Sequence, residues 1–298
     1  DYIISNPPFG IDWKREKAQV ENEAKRGFDG RFGPGLPAIS DGQMLFMLNG
    51  VKKLKEGSGR MAIIQNGSSL FTGDAGSGAS EIRRYVIEGD LVEAIIQLPT
   101  DLFYNTGIST YIWVLTKGKA MYRSGKVQLI DASKCFVKRR KNIGSKRVDL
   151  DDACIDLILR AYEKFSNETY EENGLVVESK VFDNSFFGFT KVTVETAQAD
   201  KDGKFILKKG KKQPVKGASD TEIIPLSEDS EAYMKKNVLP YNPLAYIDPA
   251  KDKIGYEVPF TRLFYKFEAP ASSDSIFEEI KALEAEETIL MKELFGHA

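Results

Sequence analysis

The chain has 298 residues, 42% of them hydrophobic and 29% charged, enough for one large or two ordinary domains with a proper core. Its single histidine, His297, excludes Ser-His and Cys-His machinery and a His-built metal site. A net charge of −2 argues against a protein that grips DNA unaided, and no apolar run approaches the roughly 20 residues that cross a bilayer. With no leader evident, a cytoplasmic protein is expected.

In chain order, Tyr2 to Ser5 reads as a buried strand that runs into Asn6-Pro7-Pro8-Phe9-Gly10. That tetrapeptide is a compact device for holding a planar amino group. The Asn6 side-chain oxygen is one acceptor. The Pro7 carbonyl is a second, left free because a following Pro donates no N–H and resists helix formation. The ring of Phe9 offers a stacking face. A strand followed by a Pro-rich turn is the plainer reading of the same residues. Asp1 opens inside a strand pattern, so a piece of a longer protein is expected.

A Gly- and charge-rich loop follows from Gly10 to Pro37. Ser40 with Gln43 predicts a capping box, and the helix behind it shows Met44, Met47, Leu48, Val51 and Leu54 on one face. Gly57 to Gly59 ends it, and Met61 to Ile64 is the next buried strand. Gly67 to Ser80 reads as a mobile Gly/Ser loop whose spacing matches no common phosphate cradle. Then come a helix over 81–87 and strands over 91–98, 110–115 and 127–130. Cys135 and Cys154 lack metal-ligand spacing and read as two reduced, buried thiols. No metal is expected.

Strands alternating with helices, as near-continuous apolar runs, predict an α/β layer with a mainly parallel sheet. Ligands then sit at the carboxyl ends of the strands, where Asn6, Asn66 and Pro99 fall. From about Val148 the texture changes. Ile155, Ile158, Leu159, Tyr162 and Phe165 suggest a helix face, and 182–195 reads as extended, with Phe186, Phe187 and Phe189 in a core. The Lys/Gly-rich stretch 201–217 reads as an exposed hairpin or loop, more a solvated element than a DNA contact. Over 275–295, Ile276, Ile280, Leu283, Leu290 and Leu294 form a coiled-coil seam, with Glu287 in the skipped place. The expected organisation is residues 1–147 as a partial catalytic domain, 148–270 as an α+β region and 271–298 as an assembly helix.

Several motifs recur together in one family. They are Asn6-Pro7-Pro8-Phe9-Gly10, Gly59-Arg60-Met61-Ala62-Ile63-Ile64, Ser69-Leu70-Phe71, and Ile82 through Glu88. After them come Leu98-Pro99-Thr100-Asp101-Leu102-Phe103-Tyr104-Asn105-Thr106-Gly107-Ile108-Ser109-Thr110, Ile112 through Lys117, and Lys253 through Arg262. In these the chain resembles the modification subunit of type I restriction-modification systems, which methylates adenine N6 in DNA with S-adenosylmethionine. The resemblance implies the C-terminal half of a Rossmann-like methyltransferase sheet followed by a distal α+β and helical region. It implies that Asn6 and the Pro7 carbonyl accept from the adenine amino group, that Phe9 stacks on the flipped base, and that Phe103 stacks as a second aromatic. Asp12 and Trp13 fall in the loop after the motif with no role assigned.

The family carries its glycine-rich cofactor loop before the Asn-Pro-Pro-Phe strand. The resemblance therefore places only an edge of the S-adenosylmethionine site, at Asn6, on this chain, and implies that the chain alone is inactive. It implies double-stranded DNA, a specificity subunit and a restriction subunit as partners, with the terminal helix docking on the specificity subunit. Two other readings are a non-catalytic assembly or DNA-clamping module, and another amino-methyltransferase acting on protein glutamine or RNA.

Overall fold

A computed structural model describes residues 1–201, 204–267 and 269–296; His297 lies outside them. The chain divides into two compact units, Asp1–Phe260 and Thr261–Ala298.

The first unit opens with β1 (Tyr2–Ser5), α1 (Lys17–Ala24) and α2 (Gln43–Lys53). β2 (Arg60–Asn66), α3 (Ser68–Phe71), α4 (Gly78–Glu88), β3 (Val92–Gln97), β4 (Thr110–Thr116) and β5 (Lys126–Lys134) follow. Then come β6 (Val137–Ile143), β7 (Lys146–Asp149), α5 (Asp152–Lys164), β8 (Glu168–Glu172) and β9 (Leu175–Asp183). A seven-stranded sheet orders these as β1-β2-β4-β3-β5-β9-β8.

The sheet is mixed where a mainly parallel one was expected. β1–β2 and β3–β5 pair in parallel; β2–β4, β3–β4, β5–β9 and β8–β9 pair antiparallel. The cause is local. No helix lies between β3 and β4, so the chain returns beside its own strand, whereas a parallel return needs a long crossover. The expected break at 147/148 is not a packing boundary either. β9 runs along the free edge of β5, and an unpaired edge would have left its N–H and C=O groups open.

At the sheet centre Ile63, Ile95, Trp113, Leu115 and Leu129 are fully buried. β1 corrects the reading of a buried strand: it is an edge with one neighbour, and Tyr2 and Ile4 are 78% and 90% exposed. Met44, Met47, Leu48 and Val51 bury the face of α2 as its periodicity predicts. On α5 the buried stripe is Cys154, Leu157, Ile158 and Ala161, while Ile155 and Leu159 stay exposed. Both stripes have helical spacing; the small residues fit against β5 and β9, so the helix is rotated by about one residue, 100°, from the expected face.

A second sheet follows. β10 (Gly188–Ala197) is its centre, with β13 (Pro214–Pro225), β14 (Ala245–Ile247) and β15 (Lys253–Tyr256) pairing antiparallel to it. The stretch 182–195 is thus two strands broken by a 3-10 turn at Asn184–Phe187, where Phe186 stacks on Phe182 at 4.5 Å and Phe187 is buried. Between β10 and β13 the Lys/Gly-rich stretch forms a small hairpin, β11 (Leu207–Lys208) with β12 (Lys211–Lys212). A short α6 (Ser230–Tyr233) precedes β14.

The α7 helix (Phe260–Phe264) begins where the first unit ends. In the second unit α8 (Ser273–Phe295) starts on the side chain of Ser272, which accepts from the Ser275 N–H. Every described residue of α8 is exposed. Among the described residues no helix is long and apolar enough to cross a membrane, and no cluster of His, Cys, Asp and Glu is set to hold a metal.

Candidate active site at the carboxyl edge of the sheet

The strand pairings put the carboxyl ends of β1, β2, β3 and β5 on one edge. Ligands of open α/β sheets bind at such an edge. Three segments of interest leave from it: Asn6 to Phe9 after β1, Asn66 to Ser69 after β2, and the loop from Leu98 to Ser109 after β3.

Asn6 is exposed, Pro7 buried and Phe9 half-buried. Among the described residues neither the Asn6 side chain nor the Pro7 carbonyl has a hydrogen-bond partner. Burial of Pro7 clamps the turn, and the two acceptors beside it are unspent. Gly10 takes φ +65° directly after the motif, with open space around its absent side chain. The backbone conformation, and not crowding, is what favours glycine there.

The loop behind the motif is anchored by Trp13. Its Nε1 donates to the Ala38 carbonyl at 3.0 Å and its own N–H to Ile39 at 3.0 Å, with the ring only 6% exposed. Trp13 is therefore a packing residue. Asp12 accepts from the Lys14 N–H at 3.2 Å and tightens the turn. A cavity of about 430 Å³ lies behind them between this loop and α2, lined by Ile11, Trp13, Val20, Phe32 and Leu45; Asn6 does not line it.

Asn66, at the equivalent end of β2, is used differently. Its Oδ1 accepts from the Ser68 N–H at 3.0 Å and from Gln43 Nε2 at 2.8 Å, and its N–H donates to Gln43 Oε1 at 3.1 Å. Asp41 closes the network, accepting from Gln43 Nε2 at 2.7 Å and Ser68 Oγ at 2.9 Å. Ser40 does not cap α2: the helix begins at Gln43 with Gly42 before it, and Asp41 Oδ1 accepts the Gln43 N–H at 3.2 Å. The 2%-exposed Gln43 side chain, read as half of a capping box, instead braces the end of β2. Buried polar groups must find partners, and a strand end 23 residues away is a partner no local pattern shows. Among the described residues, Gln65 Oε1 near the end of β2 and Thr110 Oγ1 at the start of β4 are buried without a hydrogen-bond partner.

Phe103 is half-buried in the loop after β3. That loop is held by the β6–β7 hairpin, through Ser145 N–H to Tyr104 O at 2.9 Å and Arg147 N–H to Asp101 O at 2.8 Å. Sequence reasoning missed this hairpin, whose strands are mostly charged and exposed. Phe9 and Phe103 thus share an edge, but β2 and β4 separate their parent strands by three sheet steps, about 14 Å.

Within the Gly67 to Ser80 stretch, read as a mobile loop, Gly78 packs closely, since a side chain there would meet the Leu36 carbonyl at 1.8 Å, while Gly73, Asp74 and Gly76 are exposed. The nearby Asp41 carboxylate is engaged by Gln43 and Ser68.

Comparison with known proteins gives the family. The pattern of the family described as N-6 DNA Methylase matches residues 1–202, and the chain belongs to that family. It is 31% identical over 158 residues to the type I restriction enzyme MjaVII methylase subunit of Methanocaldococcus jannaschii, covering 50% of this chain and 26% of that protein. It is 27% identical over 208 residues to the HindI methylase subunit of Haemophilus influenzae, covering 68% and 43%. The crystal structure of a type I restriction-modification methyltransferase subunit from Streptococcus thermophilus superposes with a TM-score of 0.51 at 28% identity, over 63% of this chain and 35% of that one. The chain thus spans between about a quarter and two fifths of the length of these relatives.

Proposed function

We propose that this chain forms the target-base half of an adenine-N6 DNA methyltransferase, the modification subunit of a type I restriction-modification system. The observation that carries the reading is the pair of unspent acceptors, Asn6 Oδ1 and the Pro7 carbonyl, at the carboxyl end of a strand and beside the half-buried ring of Phe9.

The adenine amino lone pair is delocalised into the ring and is a poor nucleophile. Two oxygens accepting its hydrogens draw the nitrogen toward tetrahedral geometry and return the lone pair to it. The base must leave the duplex, at a cost of a few kcal/mol, and stacking on Phe9 offsets part of it. Phe103 is proposed as the second stacking ring, brought over by its loop. S-adenosylmethionine is the proposed methyl donor, and Asn6 is the only residue of this chain assigned to its edge. No covalent intermediate is needed for direct transfer, and both cysteines are free and buried.

The partners proposed are double-stranded DNA, a specificity subunit and a restriction subunit, in the cytoplasm. The exposed apolar seam of α8, Ile276, Ile280, Leu283, Leu290 and Leu294, is proposed to dock on the specificity subunit. A second reading for the isolated chain is that of an assembly module without turnover, which the exposed apolar seam of α8 supports.

The test is methyl transfer to an adenine-containing duplex by the intact subunit carrying Asn6→Ala. Losing one preorganised polar partner costs on the order of 100- to 1000-fold in kcat. A loss under tenfold would remove Asn6 from the chemistry. The same assay on the chain alone is expected to show no transfer, and turnover there would end the second reading.

A further inference from the structure

The hairpin of β11 and β12 is closed by Lys209-Gly210, with φ of +52° and +77°. Two positive φ values make a type I′ turn, whose first place usually goes to Asn, Asp or Gly. A lysine there is in an uncommon backbone state. The register sets Lys208 against Lys211, and like charges facing each other across a ladder repel. The tip therefore carries two choices that work against its own stability. Local choices that conflict with stability concentrate at functional sites.

The stem compensates. Ile206 N–H donates to Gln198 O at 2.8 Å, Gln213 N–H to Ile206 O at 3.1 Å and Gln198 N–H to Gln213 O at 2.7 Å. The Lys212 ammonium lies over the rings of Phe205 at 4.1 Å and Tyr246 at 5.2 Å. Lys208, Lys209 and Lys211 are exposed and have no acidic partner among the described residues. Residues 204–217 hold six lysines and no acid or arginine, in a chain whose net charge is −2. Charge of one sign is concentrated on a rigidly anchored tip. Lysines are hydrated point charges without the planar fork that reads a base edge, which suits phosphates and not bases.

We propose that this hairpin is a sequence-independent contact to the backbone phosphates of duplex DNA. The inference rests on the DNA-methyltransferase reading and adds a binding surface separate from Asn6, Pro7, Phe9 and Phe103.

The test uses the full-length subunit with Lys208, Lys209 and Lys211 replaced together by Gln. Duplex affinity is measured between 50 and 200 mM salt, on duplexes with and without the target site. Each lost phosphate contact lowers the slope of log K against log salt by about 0.9, so a fall of about 2 to 3 is expected, with equal weakening on both duplexes. The melting temperature should not fall, because the replacement removes the repulsion between Lys208 and Lys211. An unchanged slope overturns the proposal. So does weakening confined to the target duplex, or intact DNA binding with lost capture of an acidic protein or of anionic vesicles. Asn6→Ala is measured alongside. If it abolishes transfer while the lysine variant binds DNA normally, the hairpin proposal alone falls. If the unaltered subunit binds no duplex, both fall.

Discussion

Arg83 on α4 is 1% exposed and ties α3 to the returning distal segment. Its Nε donates to Tyr256 O at 2.6 Å, one terminal nitrogen to Ser69 O at 3.2 Å and the other to Thr72 O at 2.9 Å. All three hydrogen-bond partners are carbonyls, none a carboxylate. Burial holds its pKa down, from 12.5 to about 10, with the more distant Glu257 carboxylate opposing the shift. A shift of that size puts the cost of burying the charge at roughly 3 kcal/mol. Hydrogen bonds to a charged group contribute roughly 1.5 to 3 kcal/mol each, and three of them outweigh the cost. Arg83→Met keeps the stem, removes the fork and leaves three carbonyls without it, two of them on the buried residues Ser69 and Tyr256. We expect a loss of about 3 kcal/mol, with Arg83→Lys between it and the parent. Urea unfolding followed by the fluorescence of Trp13 and Trp113 measures it: the midpoint should fall with the slope unchanged. Release of the segment 253–260 should appear as new proteolytic cleavage there. A loss under about 1 kcal/mol, or a gain, would mean that desolvation outweighs the three bonds and refute the reasoning.

Three further outcomes are expected. Hydrogen bonds from Arg31, one of them from its Nε at 2.6 Å, hold the Glu23 carboxyl down from 4.5 to about 2. A depressed carboxyl stabilises the fold above its unfolded value. The advantage of the parent over Glu23→Gln should therefore be complete above about pH 4.5 and vanish as the pH falls through about 2 in acid-unfolding curves. Burial pushes the Cys135 thiol up to about 12, so iodoacetamide at pH 8 should leave it unmodified in the folded chain and alkylate it in urea, as intact mass will show. Truncation before Ser273 should abolish co-purification with the specificity subunit while leaving the melting of unit Asp1–Phe260 unchanged, and retained co-purification would remove α8 from assembly.

Strands and helices whose apolar side chains repeat at one clear period were legible. α2 buries the predicted Met44, Met47, Leu48 and Val51, and β2 through β5 lie close to where their apolar runs placed them. The errors share one cause. Tyr2 and Ile4 look like core residues, yet they lie on an edge, because burial depends on what stands opposite. The two apolar stripes of α5 are equivalent by spacing, and only the surfaces of β5 and β9 choose between them. The charged β6–β7 hairpin has no apolar pattern at all and is defined by the loop it holds. Gln43 was visible as a helix-start residue, but its partners Asn66 and Ser68 come from another strand end.

By itself the sequence determined the motif and its chemistry: an amide, a proline carbonyl and an aromatic ring in consecutive order, at the end of an apolar run. It also determined the helix of α8, because a helical repeat is a property of neighbouring residues. Only the tertiary structure decided that β4 returns antiparallel, that the sheet continues through β9, and that Asn6 is left unpaired while Asn66 is consumed in bracing. These depend on pairings between residues far apart in the chain, whose energies come from matched surfaces and satisfied hydrogen bonds, and no local pattern encodes them.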